Sequence, residues 1–191
     1  DVLEAGASGV VVLKGNGDGS FSTPQQYATG GSVNDLTVAD FDGDSILDIY
    51  ATTRISLTEA ELSFLKGSGN GSFNLTDSMA VPHHGIFGIN ALDLDQDGTM
   101  DLIVANLTGS ISRVEVYKGL GNGTLQSPVF YPTFNGPSYV YLSDMNKDGL
   151  KDVLVTEGSG FSVLLVDTSG SLDPYEYFTS MPAPNSLAIA D

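Results

Sequence analysis

Three nine-residue acidic segments constrain this chain more than any other feature of its sequence. They read DFDGDSILD at 40–48, DLDQDGTMD at 93–101 and DMNKDGLKD at 144–152, and they share the pattern D-x-[DN]-x-D-x-x-x-D. They recur at spacings of 53 and 51 residues and contain 11 of the 24 acidic residues. Neither chance nor solvated acidic turns explain such regular spacing, which indicates an internal repeat.

The chemistry that suits this pattern is calcium binding. Calcium takes about 6–8 oxygen ligands, and magnesium demands a smaller octahedral site. Zinc is disfavoured because the chain has no Cys and only two His. Side chains at loop positions 1, 3, 5 and 9, with the backbone carbonyl at position 7, could surround one ion. The predicted ligands are Asp40, Asp42, Asp44, Ile46 (carbonyl) and Asp48 in the first loop, Asp93, Asp95, Asp97, Thr99 (carbonyl) and Asp101 in the second, and Asp144, Asn146, Asp148, Leu150 (carbonyl) and Asp152 in the third.

The EF-hand begins with a similar pattern, but it requires Glu at position 12 and helices on both sides. Position 12 here is Ala51, Val104 or Val155, and each lies in a short apolar run rich in β-branched residues. Such runs are typical of strands. The sequence therefore excludes EF-hands.

Aligning the three loops aligns a whole repeating unit of four strands. One strand precedes each loop, two follow it, and a glycine-rich turn separates the third from the fourth. Four short strands per period of about 50 residues predict an all-β fold of β-propeller blades. The segment 57–65 comes nearest to helical periodicity, and we expect a loop that runs into a strand. The predicted strands are 33–39, 48–52, 61–66 and 73–80, then 87–92, 101–105, 111–118 and 128–133, then 138–143, 152–156, 161–166 and 175–179.

The two ends of the chain fit the same register. Residues 1–14 align with 152–165, so Asp1 corresponds to the ninth position of a loop, and Asp191 corresponds to a first position. We expect a piece of a longer repeat array. An open arc is favoured over a four-bladed ring closed by pairing of 185–190 with 1–5. The predicted organisation is a single β-propeller fragment over 1–191, with repeats at 1–32 (partial), 33–86, 87–137, 138–184 and 185–191.

The segments GNGDGSFSTPQQY at 15–27 and LTVADFDGDSILD at 36–48 resemble the FG-GAP or VCBS repeat, and the likeness recurs in every unit. The resemblance implies the fold of the integrin alpha-subunit head, a seven-bladed propeller in which the calcium loop joins the first two strands of a blade. Members are mostly secreted or cell-surface proteins that serve adhesion, carbohydrate binding or scaffolding. Ser45 departs from the usual glycine, and Phe87–Gly88 is the one Phe-Gly pair.

The charge and the absence of other motifs limit the function. With 24 acidic residues against 7 basic ones, the formal charge of -17 disfavours nucleic acids and anionic membranes as partners. No catalytic Ser-His-Asp order and no non-repeated polar cluster is evident, so we expect no enzyme. The predicted function is a calcium-binding β-propeller module of a secreted or cell-surface protein, for adhesion or recognition of an unidentified protein or glycan. The alternative is a non-catalytic propeller domain attached to a larger secreted enzyme.

Three further expectations concern particular residues. His83 and His84 are expected to form an exposed loop pair without a metal. The second loop is expected to bind calcium most tightly, because it has four Asp and has Gly98 at its sixth position, where the first loop has Ser45. A dense aromatic group is expected to serve packing rather than sugar stacking. Its members are Tyr131, Phe134, Tyr139 and Tyr141.

Overall fold

The computed structural model describes residues 1–81, 85–180 and 186–189, and the regular structure of these residues is entirely β. The predicted all-β class is therefore confirmed, and 57–65 is a loop that enters a strand at Ala60. The strands are β1 (Val2–Gly6), β2 (Gly9–Leu13), β3 (Gln25–Tyr27), β4 (Ser32–Ala39), β5 (Asp48–Arg54), β6 (Ala60–Gly67), β7 (Phe73–Val81), β8 (Ile86–Leu92), β9 (Asp101–Thr108), β10 (Ile111–Tyr117), β11 (Val129–Pro132), β12 (Val140–Ser143), β13 (Asp152–Glu157), β14 (Gly160–Leu164) and β15 (Glu176–Thr179).

The strands form four antiparallel sheets, each following the order of the chain. We call them blades: the first is β1–β3, the second β4–β7, the third β8–β11 and the fourth β12–β15. The second, third and fourth blades have the four strands that the repeat predicted, whereas the first has three. The register is regular apart from bulges in the second and third blades, such as the one between Phe64 and Leu65.

The second strand of each four-stranded blade is buried on both faces. In β13 (DVLVTE) every residue is buried, and in β5 (DIYATTR) all but Arg54 are. Strands covered on both sides tolerate continuous runs of apolar and β-branched residues, which is why these segments do not alternate.

Three apolar clusters form the core, and each lies between two successive blades. In the cluster between the second and third blades, Leu62 and Phe64 of β6 pack with Ile86 and Leu102. Phe41, which follows the first residue of the first acidic loop, belongs to the same cluster. The acidic loops are therefore anchored in the packing between blades.

We call the face that a blade presents to the next blade its leading face. On the third blade this face is covered, and Leu94 is only 2% exposed. The equivalent Met145 of the fourth blade is 44% exposed, and Phe178 on the same face is 40% exposed. The described residues thus leave one leading face uncovered, that of the fourth blade.

No closed ring is present among the described residues. The segment 186–189 forms no strand and makes no backbone pairing with β1. The backbone N–H of Leu187 instead donates to the Tyr141 hydroxyl at 3.2 Å, beside β12. Seven blades stay a prediction, and residues 185, 190 and 191 of the predicted last repeat lie outside the described residues.

Within the described ranges, no helix has the length and apolarity needed to cross a membrane.

Candidate metal centre

Each acidic loop connects the first strand of a blade to the second, as the family resemblance implied. Residues 40–47 join β4 to β5, residues 93–100 join β8 to β9, and residues 144–151 join β12 to β13. Antiparallel pairing of these strands places the three loops at the same end of their blades.

Two of the three loops bring acidic oxygens together. Oxygens of Asp40, Asp42 and Asp48 all lie within 4.8 Å of one another, and so do those of a second group. That second group is Asp93, Asp95 and Asp97. The third loop has Asn146 at its third position, and its amide Nδ2 donates to Asp148 Oδ2 at 2.8 Å.

The carboxylate at position 1 organises the turn of every loop. It accepts the backbone N–H of position 6, five residues further on, so the loop closes around the first side chain. Position 7 is held in the same way, because its N–H donates to the carboxylate at position 5. The position 1 bonds are Asp40 from Ser45 at 2.8 Å, Asp93 from Gly98 at 2.9 Å and Asp144 from Gly149 at 3.0 Å. The position 7 bonds are Ile46 to Asp44 at 2.9 Å, Thr99 to Asp97 at 2.8 Å and Leu150 to Asp148 at 2.7 Å.

The ninth-position aspartates have a role that the sequence did not reveal. In the second loop, Asp101 accepts the N–H of Leu94 at 3.1 Å through one oxygen and that of Gly119 at 2.9 Å through the other. It therefore ties the loop to the turn after β10, and we call this arrangement the ninth-position clamp. The other clamps are Asp48 with Phe41 (3.2 Å) and Gly67 (2.8 Å), and Asp152 with Met145 (2.8 Å) and Val166 (2.9 Å).

The clamps are buried, and burial has an electrostatic consequence. Asp101 is 1% exposed, and burial raises its pKa even though two backbone N–H groups favour the charged form. Burial raises the pKa of Asp48 as well. Asp1 accepts the N–H of Gly15 at 2.8 Å, which supports its alignment with the ninth positions.

The loops need left-handed backbone at two positions, not one. At position 6, Ser45 has φ 66° and Gly98 has φ 91°. At position 4, Gly43 has φ 76°, and Gln96 and Lys147, the equivalent residues of the other two loops, also have positive φ. Each loop therefore has one glycine and one residue with a Cβ in this region. Backbone strain at Ser45 therefore does not distinguish the first loop from the second, because Gln96 bears a comparable strain. Tightest binding by the second loop stays a prediction.

A lysine contacts the acidic groups of the first two loops. Lys66 forms ion pairs with Asp42 and Asp44, and Lys118 forms one with Asp95. The hydrogen bond from Lys66 lowers the pKa of Asp44. The pKa of Asp97 is lowered chiefly by a hydrogen bond from the Thr99 hydroxyl.

The donor set fits a hard cation. Its side-chain donors are oxygens, and carboxylates this close favour a positive charge between them. Asp95 Oδ1 is buried without a hydrogen-bond partner among the described residues, and a bound ion would satisfy that oxygen.

Comparison with known proteins agrees with this geometry. The profile of the FG-GAP-like repeat family matches residues 1–51 and 93–155, which is more than half of the chain. The chain belongs to the FG-GAP-like repeat family. No curated protein matches it.

Among solved structures, this FG-GAP-like chain is similar to that of an Agrocybe aegerita lectin, described as recognising non-reducing terminal N-acetylglucosamine. The TM-score is 0.58 at 20% identity, and the match covers 94% of this chain. It covers 48% of the lectin chain, so this chain spans about half of that protein. A second match, the Photorhabdus luminescens Tc holotoxin pore, has a TM-score of 0.35 at 13% identity and covers 95% of this chain and 11% of the other. The first match shows a shared fold, and the second supports no inference.

One blade of this FG-GAP-like chain contains a polar cluster that the sequence analysis missed. The buried Glu115 accepts hydrogen bonds from Asn106 Nδ2 at 2.9 Å, Arg113 Nε at 2.7 Å and Tyr117 Oη at 2.6 Å. Arg113 also lies 4.1 Å above the ring of Phe130. The alternation of Arg113, Glu115 and Tyr117 along β10 was the available signal, because alternate residues share one face of a strand.

The other blades hold smaller polar pairs at the positions equivalent to Asn106 and Glu115. In the second blade the hydroxyls of Thr53 and Ser63 lie 2.8 Å apart. In the fourth blade Ser162 Oγ donates to Glu157 Oε1 at 2.6 Å. The same two neighbouring positions therefore hold a different polar pair in each of the three four-stranded blades.

The dense aromatic group does not form one cluster. Tyr131 packs in the core between the third and fourth blades. Phe134 is exposed and stacks on Tyr177, with ring centroids 4.1 Å apart. Tyr131 therefore packs in the core, whereas Phe134 packs on Tyr177 and keeps about half of its surface exposed. His83 and His84 lie outside the described residues.

Proposed function

We propose that this chain is a calcium-binding recognition module of the β-propeller type, belonging to a secreted or cell-surface protein. The observation that carries the proposal is the recurrence of the acidic loop at the same place in three blades. In each of two such loops, oxygens of three aspartates lie within 4.8 Å of one another. The proposal includes the backbone carbonyl oxygens of Ile46, Thr99 and Leu150 as calcium ligands.

Calcium in this position has a structural role. The unfolded chain lacks the loop geometry, so the ion binds the folded state and stabilises it by about 2.7 kcal/mol per site at 100 times Kd. We expect affinities of roughly 10⁻⁵ to 10⁻³ M, which suit the calcium concentrations outside cells.

Isothermal titration calorimetry tests the calcium proposal. The expected result is three sites for calcium and weaker binding of magnesium. The variant Asp97→Asn should remove one site, whereas Asp18→Asn, in a hairpin turn outside the loops, should retain all three. Absence of calcium binding at millimolar concentration would contradict the proposal.

The proposed ligand is a protein or a glycan. The shared fold with a lectin supports a glycan, and so does the exposed pair of Phe134 and Tyr177, because an aromatic face can pack against the apolar face of a sugar. A glycan array that includes terminal N-acetylglucosamine tests this proposal in the presence of calcium. Binding that is lost in Phe134→Ala but kept in Phe21→Ala supports it, and absence of any glycan binding favours a protein ligand.

We propose that the chain is not an enzyme. The Glu115 cluster would be the natural candidate for chemistry, but Glu115 is fully buried and its partners are engaged with it. A general acid or base must reach the substrate, and this carboxylate is not accessible to one. If the module is attached to a larger secreted enzyme, the buried and engaged state of Glu115 likewise favours a non-catalytic role for the module.

A further inference from the structure

One sequence position lies within one residue of the end of the third strand in each four-stranded blade, just before the glycine turn, and its equivalent in the first blade follows β2. It is Lys14, Lys66 and Lys118 in the first three units, and Leu165 in the fourth. Only the second, third and fourth units have a complete acidic loop before this position. The chain therefore offers two loops with a neighbouring lysine and one loop without it.

The two lysines meet the same oxygen of their loops. The Lys66 ammonium contacts Asp42 Oδ2 at the third position and lies 2.8 Å from Asp44 Oδ2. Lys118 contacts Asp95 Oδ2, also at the third position, and lies 3.3 Å from the carbonyl oxygen of Ser169 in the next blade. A predicted calcium ligand is thus engaged by an ammonium group in both loops.

The third loop has a different arrangement. Leu165 cannot form an ion pair, and the neutral amide of Asn146 donates to Asp148 instead. Lys147 and Lys151 lie within this loop, but neither forms an ion pair within the described ranges of the chain. The third loop therefore has fewer carboxylates but no cation that holds them.

We propose that Lys66 and Lys118 are resident counter-cations that compete with calcium for the third-position carboxylates. In the metal-free protein they offset the repulsion between these carboxylates and hold the loops in place. When calcium binds, the ammonium group must leave or share the oxygen, so calcium binds more weakly. The inference rests on the proposed calcium function.

The expected effect is modest because both lysines are partly exposed, with 40% and 30% of their side-chain surface accessible. Exposed ion pairs contribute at most about 1 kcal/mol, which corresponds to about fivefold in affinity.

Site-resolved calcium titration of the whole chain by NMR tests the proposal. The amides of Ser45, Gly98 and Gly149 report on the three loops separately, because each donates to the first aspartate of its loop. In Lys118→Met we expect the calcium concentration at the Gly98 midpoint to fall about 2–5-fold, with that of Gly149 unchanged. In an Asn146→Asp background, which supplies the missing third-position carboxylate, Leu165→Lys should raise the Gly149 midpoint by a similar factor.

Lys14→Met is the matched control. Lys14 occupies the same position, but its ammonium donates to the carbonyl oxygen of Asn70 at 2.9 Å and meets no complete loop. All three midpoints should stay unchanged. The metal-free melting temperature should fall more in Lys118→Met than in this control.

If calcium binds to Lys118→Met but the Gly98 midpoint equals that of the wild-type chain, Lys118 does not compete with calcium and the inference is overturned. If the wild-type chain shows no calcium-dependent shift at all, the proposed function fails as well, and the two failures are thereby distinguished.

Discussion

Two aspartates of the second loop, Asp97 and Asp101, are four residues apart and have opposite surroundings. Asp97 is exposed and accepts hydrogen bonds from Thr99 next to it. Asp101 is buried, and both its oxygens accept backbone N–H groups from separate segments. The comparison shows that the repeated acidic pattern contains two functions. Aspartates such as Asp97 are available to hold an ion, whereas the ninth ties the loop to its blade, even where it also belongs to the acidic group, as Asp48 does.

Removal of all calcium should have the largest effect and should separate the two functions. A chelator should lower the melting temperature, and calcium should restore it better than magnesium. The loss approaches about 2.7 kcal/mol for each occupied site at 100 times Kd. Differential scanning calorimetry measures it, and an unchanged melt in chelator would exclude structural calcium.

Amide exchange in the same chelated sample sharpens the comparison. The clamped amides of Leu94 and Gly119 should stay protected, because their bonds to Asp101 need no metal. The amide of Thr99, which depends on the exposed Asp97, should exchange faster without calcium. Equal loss of protection at the two kinds of amide would mean that the clamp itself depends on the ion.

Asp101→Ala should have the next largest effect. It leaves two backbone N–H groups buried without partners, and each such group costs about 1–3 kcal/mol. We expect a loss of about 3 kcal/mol or more, in calcium and in chelator alike. Urea denaturation measures it. A loss that appears only in calcium would show that Asp101 acts as a ligand alone.

Asp97→Ala should destabilise the chain only when calcium is present, by up to about 2–3 kcal/mol per site at saturation. Among the fifth-position variants it should cost more than Asp148→Ala, because the second loop has four aspartates and the third has three. It should also cost more than Asp44→Ala, because Lys66 engages two aspartates of the first loop whereas Lys118 engages one of the second. Thermal melts in calcium and in chelator provide the comparison. If Asp148→Ala is the most damaging, competition by Lys118 outweighs ligand charge.

Substitutions at the left-handed positions should have the smallest effects. Gly98→Ala places a Cβ at φ 91° where no atom crowds it, so backbone strain alone should cost about 1 kcal/mol. Gln96→Gly removes such strain at φ 58°, but it gives the unfolded chain more freedom, so we expect a change below about 0.5 kcal/mol. A large loss in Gln96→Gly would show that its side chain matters more than its backbone.

The strands and the loops could be predicted because the repeat amplified weak local signals. A single run such as DVLVT is ambiguous, but three runs in one register, each after an acidic loop, gave β5, β9 and β13 to within a few residues. The carboxylates at positions 1, 3 and 5 could be predicted as a group because their spacing is local.

What could not be predicted depends on contacts distant in sequence. The partner of Asp101 is Gly119, 18 residues later, and the two meet only through the pairing of β9 with β10. The contact of Lys118 with Asp95 has the same origin. The left-handed fourth position was hidden because Gln96 gives no signal of positive φ.

The unlike polar pairs inside the blades have a consequence for folding. Tandem repeats of similar sequence can exchange strands and form misassembled states. If β6 paired with β9, Ser63 would replace Glu115 beside Asn106, and Arg113 would lose its carboxylate. We expect these polar pairs to disfavour such exchange, because a strand from another blade leaves a buried polar group without its partner. The double variant Thr53→Asn with Ser63→Glu gives the second blade the same polar pair as the third. We expect it to increase the misfolded fraction on refolding.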